Sequence, residues 1–162
     1  MVILSVKYFV QIIIAAFLLL LFSFCTWYEG SEILDNPWEW KYSTHFSQML
    51  NDQVMDDQDI SNLDYFVYAA KFKPVFPVLM VLTSSYLIIL TGYALFKRSS
   101  KKTALFLAGF GVLFLISSGI VSNSPTVGGN IFQAFFLISG MMAIMGAALY
   151  YFRMPKEIKT DF

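Results

Sequence analysis

The chain has 162 residues, 57% of them hydrophobic and 18% aromatic, and its 11 basic and 11 acidic side chains cancel to a formal net charge of zero. An apolar fraction this high argues against a large water-soluble domain. The charged residues are also unevenly spread, because residues 8–28, 74–96 and 103–152 contain none. We therefore expect an integral membrane protein.

Each uncharged window is long enough to form one or two membrane-spanning helices. A hydrocarbon core of about 30 Å needs roughly 20 apolar residues, and only a helix satisfies its own backbone groups in lipid. The longest window is divided at residues 122–130, where Pro, Gly and Asn favour a turn. The pattern predicts an all-α membrane protein with a single four-helix transmembrane domain over residues 1–162. The predicted spans are residues 8–27, 75–96, 103–121 and 131–152.

The first span is predicted to be a permanent helix rather than a cleaved signal peptide. Phe22 and Phe24 lie just before Cys25, where a signal peptidase requires small residues, and the apolar stretch is long enough to span. Cys25 is the only cysteine, so no disulfide is expected within the chain.

The charges separate into two groups of opposite sign. The termini and the connection between the second and third spans hold eight cations (Lys7, Lys97, Arg98, Lys101, Lys102, Arg153, Lys156 and Lys159) against Glu157 and Asp161. Between the first and second spans, Lys41, Lys71 and Lys73 stand against nine carboxylates: Glu29, Glu32, Asp35, Glu39, Asp52, Asp56, Asp57, Asp59 and Asp64. Short cytoplasmic loops retain Lys and Arg. We therefore expect both termini inside the cell, and residues 28–73, the acidic segment, outside the bacterial cytoplasmic membrane.

The spans contain no Asp, Glu, Lys, Arg or His. Small proton-coupled exporters need a membrane carboxylate, and haem-carrying bundles need paired histidines, whereas the only histidine here is His45. Thiol oxidoreductases need two cysteines for exchange. We expect neither an enzyme nor a cofactor. The basic residues 97–102 indicate contact with anionic lipid rather than with nucleic acid.

Two stripes of small residues indicate close packing of the third and fourth spans. They are Ala104, Ala108, Gly111 and Ser118 in the third span, and Ser139, Ala143 and Ala147 in the fourth. Such stripes let helix backbones approach each other in lipid, and a homo-oligomer or partner face is the alternative use. The first span has few small residues, so we expect it at the periphery.

The acidic segment contains the aromatic residues that are candidates for contact with a partner. Residues 38–42 alternate aromatic and charged side chains, so a short strand would put three aromatic rings on one face. Such a row either packs on the ends of the helices or binds a partner, because Trp and Tyr are typical interface anchors. The partner-binding candidates are Trp27, Tyr28, Glu29, Trp38, Glu39, Trp40 and Tyr42.

A surface helix is predicted to begin at Ser61. Ser61 and Asp64 have the spacing of a capping box, and Ile60 is placed to pack on Tyr65. The predicted apolar face of this helix consists of Leu63, Phe66, Val67 and Ala70.

Four carboxylates of the acidic segment lie close together in the sequence and invite a metal hypothesis: Asp56, Asp57, Asp59 and Asp64. An EF-hand register fails, because Asn62 occupies the position that requires glycine and Tyr68 the position of the bidentate Glu. A solvated acidic loop is the default interpretation. Loose binding of Ca²⁺ or Mg²⁺, which prefer oxygen ligands, is the alternative.

Two tryptophan-containing motifs follow the first span, TWYEGS at residues 26–31 and WEWKYS at residues 38–43. They resemble the motifs of a family of small, uncharacterised bacterial multipass membrane proteins that carry a domain of unknown function. The resemblance covers roughly the first 95 residues. It implies a location in the bacterial cytoplasmic membrane and no particular mechanism.

We expect a non-enzymatic membrane protein that binds or senses a partner, such as another membrane or cell-surface protein, through the acidic segment. The alternative is a channel or transporter subunit, in which Gln11, Gln133 and the hydroxyl groups of residues 83–85 line a polar path. His45 lies near serine and threonine residues, but no oriented base or oxyanion site indicates nucleophilic catalysis.

Overall fold

The computed structural model describes residues 6–51 and 54–157, and every regular element within these ranges is helical. The four long helices are α1 (Val6–Gly30), α5 (Val75–Phe96), α6 (Ser100–Val121) and α7 (Val127–Glu157). Between α1 and α5 lie α2 (Trp40–Ser43), α3 (His45–Asn51), α4 (Asn62–Phe72) and three 3₁₀ helices, Ser31–Asp35, Pro37–Glu39 and Asp57–Asp59. Asp52, Lys159 and Asp161, which entered the charge count, lie outside the described residues.

The four long helices are long and apolar enough to cross a membrane. The second predicted span matches α5, whereas α1, α6 and α7 extend beyond the predicted limits. The largest differences are at the two ends of α7, which ends at Glu157 and begins at Val127, so that it includes Gly128 and Gly129. Only 11–22% of the residues in the apolar windows are buried inside the protein. Most of the apolar surface of these helices is therefore exposed, as expected of helices that an apolar environment covers.

Helices α1 and α5 form an antiparallel pair. The ring centroids of Tyr8 and Tyr93 are 6.5 Å apart, and those of Phe22 and Phe76 are also 6.5 Å apart. The other side of α1 remains exposed, for example at Phe17 and Leu20. The apolar windows of α1 and α7 are equally buried, at 11%, so this exposure does not single out the first span as the peripheral one.

Helices α6 and α7 form the second pair and pack along their length. The backbones approach most closely at Gly111, where an added Cβ would meet the Gly140 carbonyl oxygen and the Ile144 side chain. The Ser118 hydroxyl donates a hydrogen bond to the Gln133 carbonyl oxygen at 3.0 Å. Most of the predicted small residues are buried at this contact: Ala104, Gly111, Ser118, Ala143 and Ala147. The prediction that these stripes pack within the chain is confirmed.

The two pairs meet at both ends of the bundle. At the end that carries residues 97–102, here called the basic end, the Thr103 hydroxyl donates to the Phe96 carbonyl oxygen at 3.0 Å. The Ser99 side chain caps α6 there. At the opposite end, called the acidic end, α4 contacts α1, α5 and α7.

The close approach at Gly111 predicts a large difference between two glycine substitutions in α6. Gly111→Ala places a methyl group against α7, and we expect a loss of about 1–3 kcal/mol in unfolding free energy, as for an overpacked core. Gly119→Ala is the matched control, because open space surrounds its Cβ position. Unfolding by sodium dodecyl sulfate from a mild detergent measures both. Equal stability of the two variants would contradict this packing.

Candidate functional site in the acidic segment

The acidic segment has a small hydrophobic core of its own. Ile33, Ile60, Tyr65 and Tyr68 are buried together, and Trp40 packs against them from outside. The expected contact between Ile60 and Tyr65 therefore forms part of this core. The core therefore joins stretches of the segment that are distant in sequence.

Helix α4 packs directly against the C-terminal end of α1. An added Cβ at Gly30 would collide with the backbone carbonyl of Tyr65, so only glycine allows this approach. The Trp27 ring lies 6.0 Å from the Tyr65 ring, and Thr26 is fully buried. The candidate Trp27 therefore has a packing role. Tyr28 is 68% exposed, and Glu29 is half-buried.

Asp64 does not form the predicted capping box with Ser61. The Ser61 hydroxyl accepts from the Leu63 amide at 3.3 Å, as expected of an N-cap, but the Asp64 side chain turns toward α3. There its carboxylate accepts from the Phe46 amide at 2.9 Å and from the Ser47 amide at 2.8 Å, and the Ser47 hydroxyl also donates to it. This fully buried carboxylate thus satisfies the free amides at the start of α3.

The predicted strand at residues 38–42 is wrong, because this stretch is helical. Pro37 occupies the first turn of a 3₁₀ helix that leads into α2, a position where its missing amide donor is tolerated. Trp38 lies in the 3₁₀ helix and Tyr42 in α2, about one helical turn apart. Their side chains are 72% and 61% exposed. Trp40 points the other way and donates its indole N–H to the Ile33 carbonyl oxygen at 2.8 Å.

Glu39 belongs to a polar cluster beneath α2. Asn36 donates to the Tyr68 hydroxyl oxygen at 3.1 Å, and burial together with the neighbouring Glu39 carboxylate raises the pKa of Tyr68 to about 12. Nearby, Lys73 forms an ion pair with Glu32 at 3.1 Å. The Tyr68 phenol therefore stays protonated at physiological pH and serves as a neutral hydrogen-bonding group.

The four carboxylates of the metal hypothesis do not come together as a metal site within the described residues. Asp56 and Asp59 cap the 3₁₀ helix Asp57–Asp59 reciprocally. The Asp56 side chain, by its hydrogen bond and its charge, raises the pKa of Asp57. Asp64 is turned to α3 instead. The described part of the chain contains no group of three or more His, Cys, Asp or Glu side chains placed to hold a metal ion.

The polar residues of the transport hypothesis belong to different helix pairs, with Gln11 and residues 83–85 in α1 and α5 and Gln133 in α7. Gln11 and Thr83 line an apolar crevice of about 470 Å³ between α1 and α5, whereas Gln133 belongs to the α6–α7 pair. The Thr83 and Ser85 hydroxyl groups donate to carbonyl oxygens one turn back in α5, at 2.7 and 2.6 Å.

Sequence reasoning missed a groove next to the acidic segment. The predicted apolar face of α4 does not pack into the segment's core, which instead receives Tyr65 and Tyr68. It lines an open cavity of about 780 Å³ together with residues of α5, α6 and α7. Lys71 and His45 lie at the same cavity. The available signal was the apolar stripe Leu63, Phe66, Val67 and Ala70, which lies on a different face of α4 from Tyr65 and Tyr68.

The fold and the site define a helical protein with four apolar helices and a small, folded acidic segment between the first two. The chain belongs to the family DUF4306, a domain of unknown function, whose model matches residues 9–96. It is similar to the uncharacterized protein YjdJ of Bacillus subtilis (strain 168), with 39% identity over 64 residues. That alignment covers 38% of this chain and 59% of the relative, so the chain spans less than two thirds of the relative's length. No solved structure matches the chain.

The role of Asp64 predicts a local effect of its replacement. Asp64→Asn removes the charge and one acceptor oxygen, so we expect the start of α3 to lose about 2 kcal/mol. Hydrogen exchange at the Phe46 and Ser47 amides should accelerate roughly 30-fold. The exposed Asp57 provides the control Asp57→Asn, which should leave both amides protected. Unchanged exchange in Asp64→Asn would show that α3 does not depend on this cap.

Proposed function

We propose that the protein crosses the bacterial cytoplasmic membrane four times, as a single transmembrane domain with both termini and the basic end in the cytoplasm. The exposed apolar surface of the long helices supports insertion into lipid. The concentration of Lys and Arg at the basic end supports this orientation, since cytoplasmic loops retain such residues. The acidic segment then lies on the outer surface.

We further propose that the protein is non-enzymatic and that the acidic segment binds another membrane or cell-surface protein. The observation that carries this proposal is the exposed pair Trp38 and Tyr42, which the neighbouring Trp40 anchors to a folded core. Large exposed aromatic rings on a fixed support have the character of interface hot spots. The surrounding carboxylates favour a partner that presents positive charge beside an apolar contact.

Transport is less well supported than binding. A channel or transporter subunit needs a continuous polar path through the apolar helices. In α5, the hydroxyl groups of Thr83, Ser84 and Ser85 all donate to carbonyl oxygens of their own helix. Gln11 and Gln133 belong to different helix pairs. These contacts favour a binding protein, and a flux assay with purified protein in liposomes distinguishes the two functions.

The orientation predicts which positions a reagent reaches from outside the cell. In a Cys25→Ala background, Met55→Cys should react with a membrane-impermeant maleimide on intact cells, because this exposed residue lies in the acidic segment. Lys101→Cys, at the basic end, should react only after permeabilisation. The reverse pattern of labelling would overturn the orientation, and labelling of both positions on intact cells would argue against a membrane barrier between them.

The binding proposal predicts a specific effect of removing the aromatic pair. The double variant Trp38→Ala/Tyr42→Ala should lose at least tenfold in capture of a cross-linked partner from native membranes, as expected when hot-spot rings are truncated. Quantitative mass spectrometry of the co-isolated proteins measures the loss. Met55→Ala is the control, because it removes an equally exposed apolar side chain of the same segment. If the double variant retains every partner of the natural protein, the pair is not a binding surface.

A further inference from the structure

The groove at the acidic end is bounded by helices from both pairs. Phe66 and Val67 of α4 form one wall, Met80 of α5 lies between, and Ile120 of α6 and Phe132 of α7 face them. Its volume of about 780 Å³ lies within the range of about 300–1,000 Å³ that is typical of small-molecule sites. The lining is predominantly apolar, and Ile120 is 76% exposed, so the groove opens sideways from the bundle.

One cationic side chain, Lys71, lies at the edge of this apolar groove together with His45. The Lys71 ammonium group donates to the Tyr42 carbonyl oxygen, and its Nζ atom is 3.4 Å from His45 Nε2. Within the described residues Lys71 forms no ion pair with a carboxylate, unlike Lys73, which pairs with Glu32. Burial lowers the pKa of Lys71, and the Asp64 charge opposes this effect in part. The half-buried ammonium therefore lacks a close anionic partner.

Hydroxyl groups from the α6–α7 connection complete the polar edge. Ser124 and Thr126 both line the groove, and their side-chain oxygens are 3.0 Å apart. The Thr126 hydroxyl oxygen also accepts from the Gly129 amide at 3.1 Å. The groove thus combines a long apolar wall with a cation and hydroxyl donors at its edge, which is an arrangement for an amphipathic ligand with a negative head.

We propose that the groove binds an anionic phospholipid of the surrounding bilayer, with an acyl chain along Met80 of α5 and Ile120 of α6 and the phosphate group at Lys71. The proposal depends on the membrane location proposed above. A groove that opens from the apolar surface of the bundle is filled from the bilayer, where lipids are the abundant amphiphiles. The phosphate supplies a negative charge beside the Lys71 ammonium group. A headgroup without a cation of its own is favoured over choline, because choline would bring a second positive charge close to Lys71.

Lipid retention by the full chain tests this proposal. The purified protein is placed in nanodiscs of equal parts phosphatidylglycerol and phosphatidylcholine, released in the mass spectrometer, and its bound lipids are counted. We expect retained phosphatidylglycerol in the natural protein, and a loss of roughly tenfold in Lys71→Gln, as for removal of a charge-assisted hydrogen bond. Lys71→Arg should keep the preference. Val67→Trp should reduce retention of both lipids, because its side chain fills the groove.

Lys73→Gln is the matched control, because Lys73 lies two residues away, carries the same charge and does not line the groove. It should retain phosphatidylglycerol as the natural protein does. If Lys71→Gln and Lys73→Gln lost equal amounts of phosphatidylglycerol, the effect would come from general surface charge, and the proposed site would be wrong. Equal retention of the two lipids by the natural protein would also overturn it. Neither result would affect the orientation, which the maleimide labelling examines separately.

Discussion

Helix α4 is held by two backbone contacts, one near each end, and the rest of the acidic end depends on them. Gly30 of α1 lies against the carbonyl of Tyr65, and Gly128 of α7 lies against the carbonyl of Ala70. A side chain at either glycine would push α4 away from a helix pair. Because the two pairs otherwise contact each other mainly near the basic end, α4 fixes their separation at the acidic end. The groove exists because α4 spans this gap.

The tryptophan motifs are explained mainly by packing. In TWYEGS, Thr26, Trp27 and Gly30 bring α1 against α4, and Tyr28 is the more exposed of the two aromatic rings. In WEWKYS, Trp40 closes the small core through its bond to the Ile33 carbonyl oxygen. The distinctive residues of these motifs therefore build the support, and their exposed neighbours are free to make contacts.

The long helices could be predicted from the sequence because one physical rule governs them. Uncharged apolar stretches of sufficient length form helices, and the positions of Gly111 and Ala143 indicated which faces pack. The acidic segment was less predictable, because its structure depends on contacts between residues distant in sequence. Asp64 had a plausible local partner in Ser61, yet it bonds to Ser47, seventeen residues away. Residues 38–42 alternated like a strand, but Pro37 and the need to bury Trp40 favoured a helical turn.

The family match ends at residue 96, the last residue of α5. The helices α6 and α7 therefore lie outside the matched part of the chain. The small core and the exposed pair Trp38 and Tyr42 lie entirely in the matched part. Part of the lining of the groove, including Ile120 and Phe132, lies in the unmatched part. Recognition through the aromatic pair would thus depend only on the part of this chain that the family model matches. Occupancy of the groove would also depend on α6 and α7, which supply part of its lining.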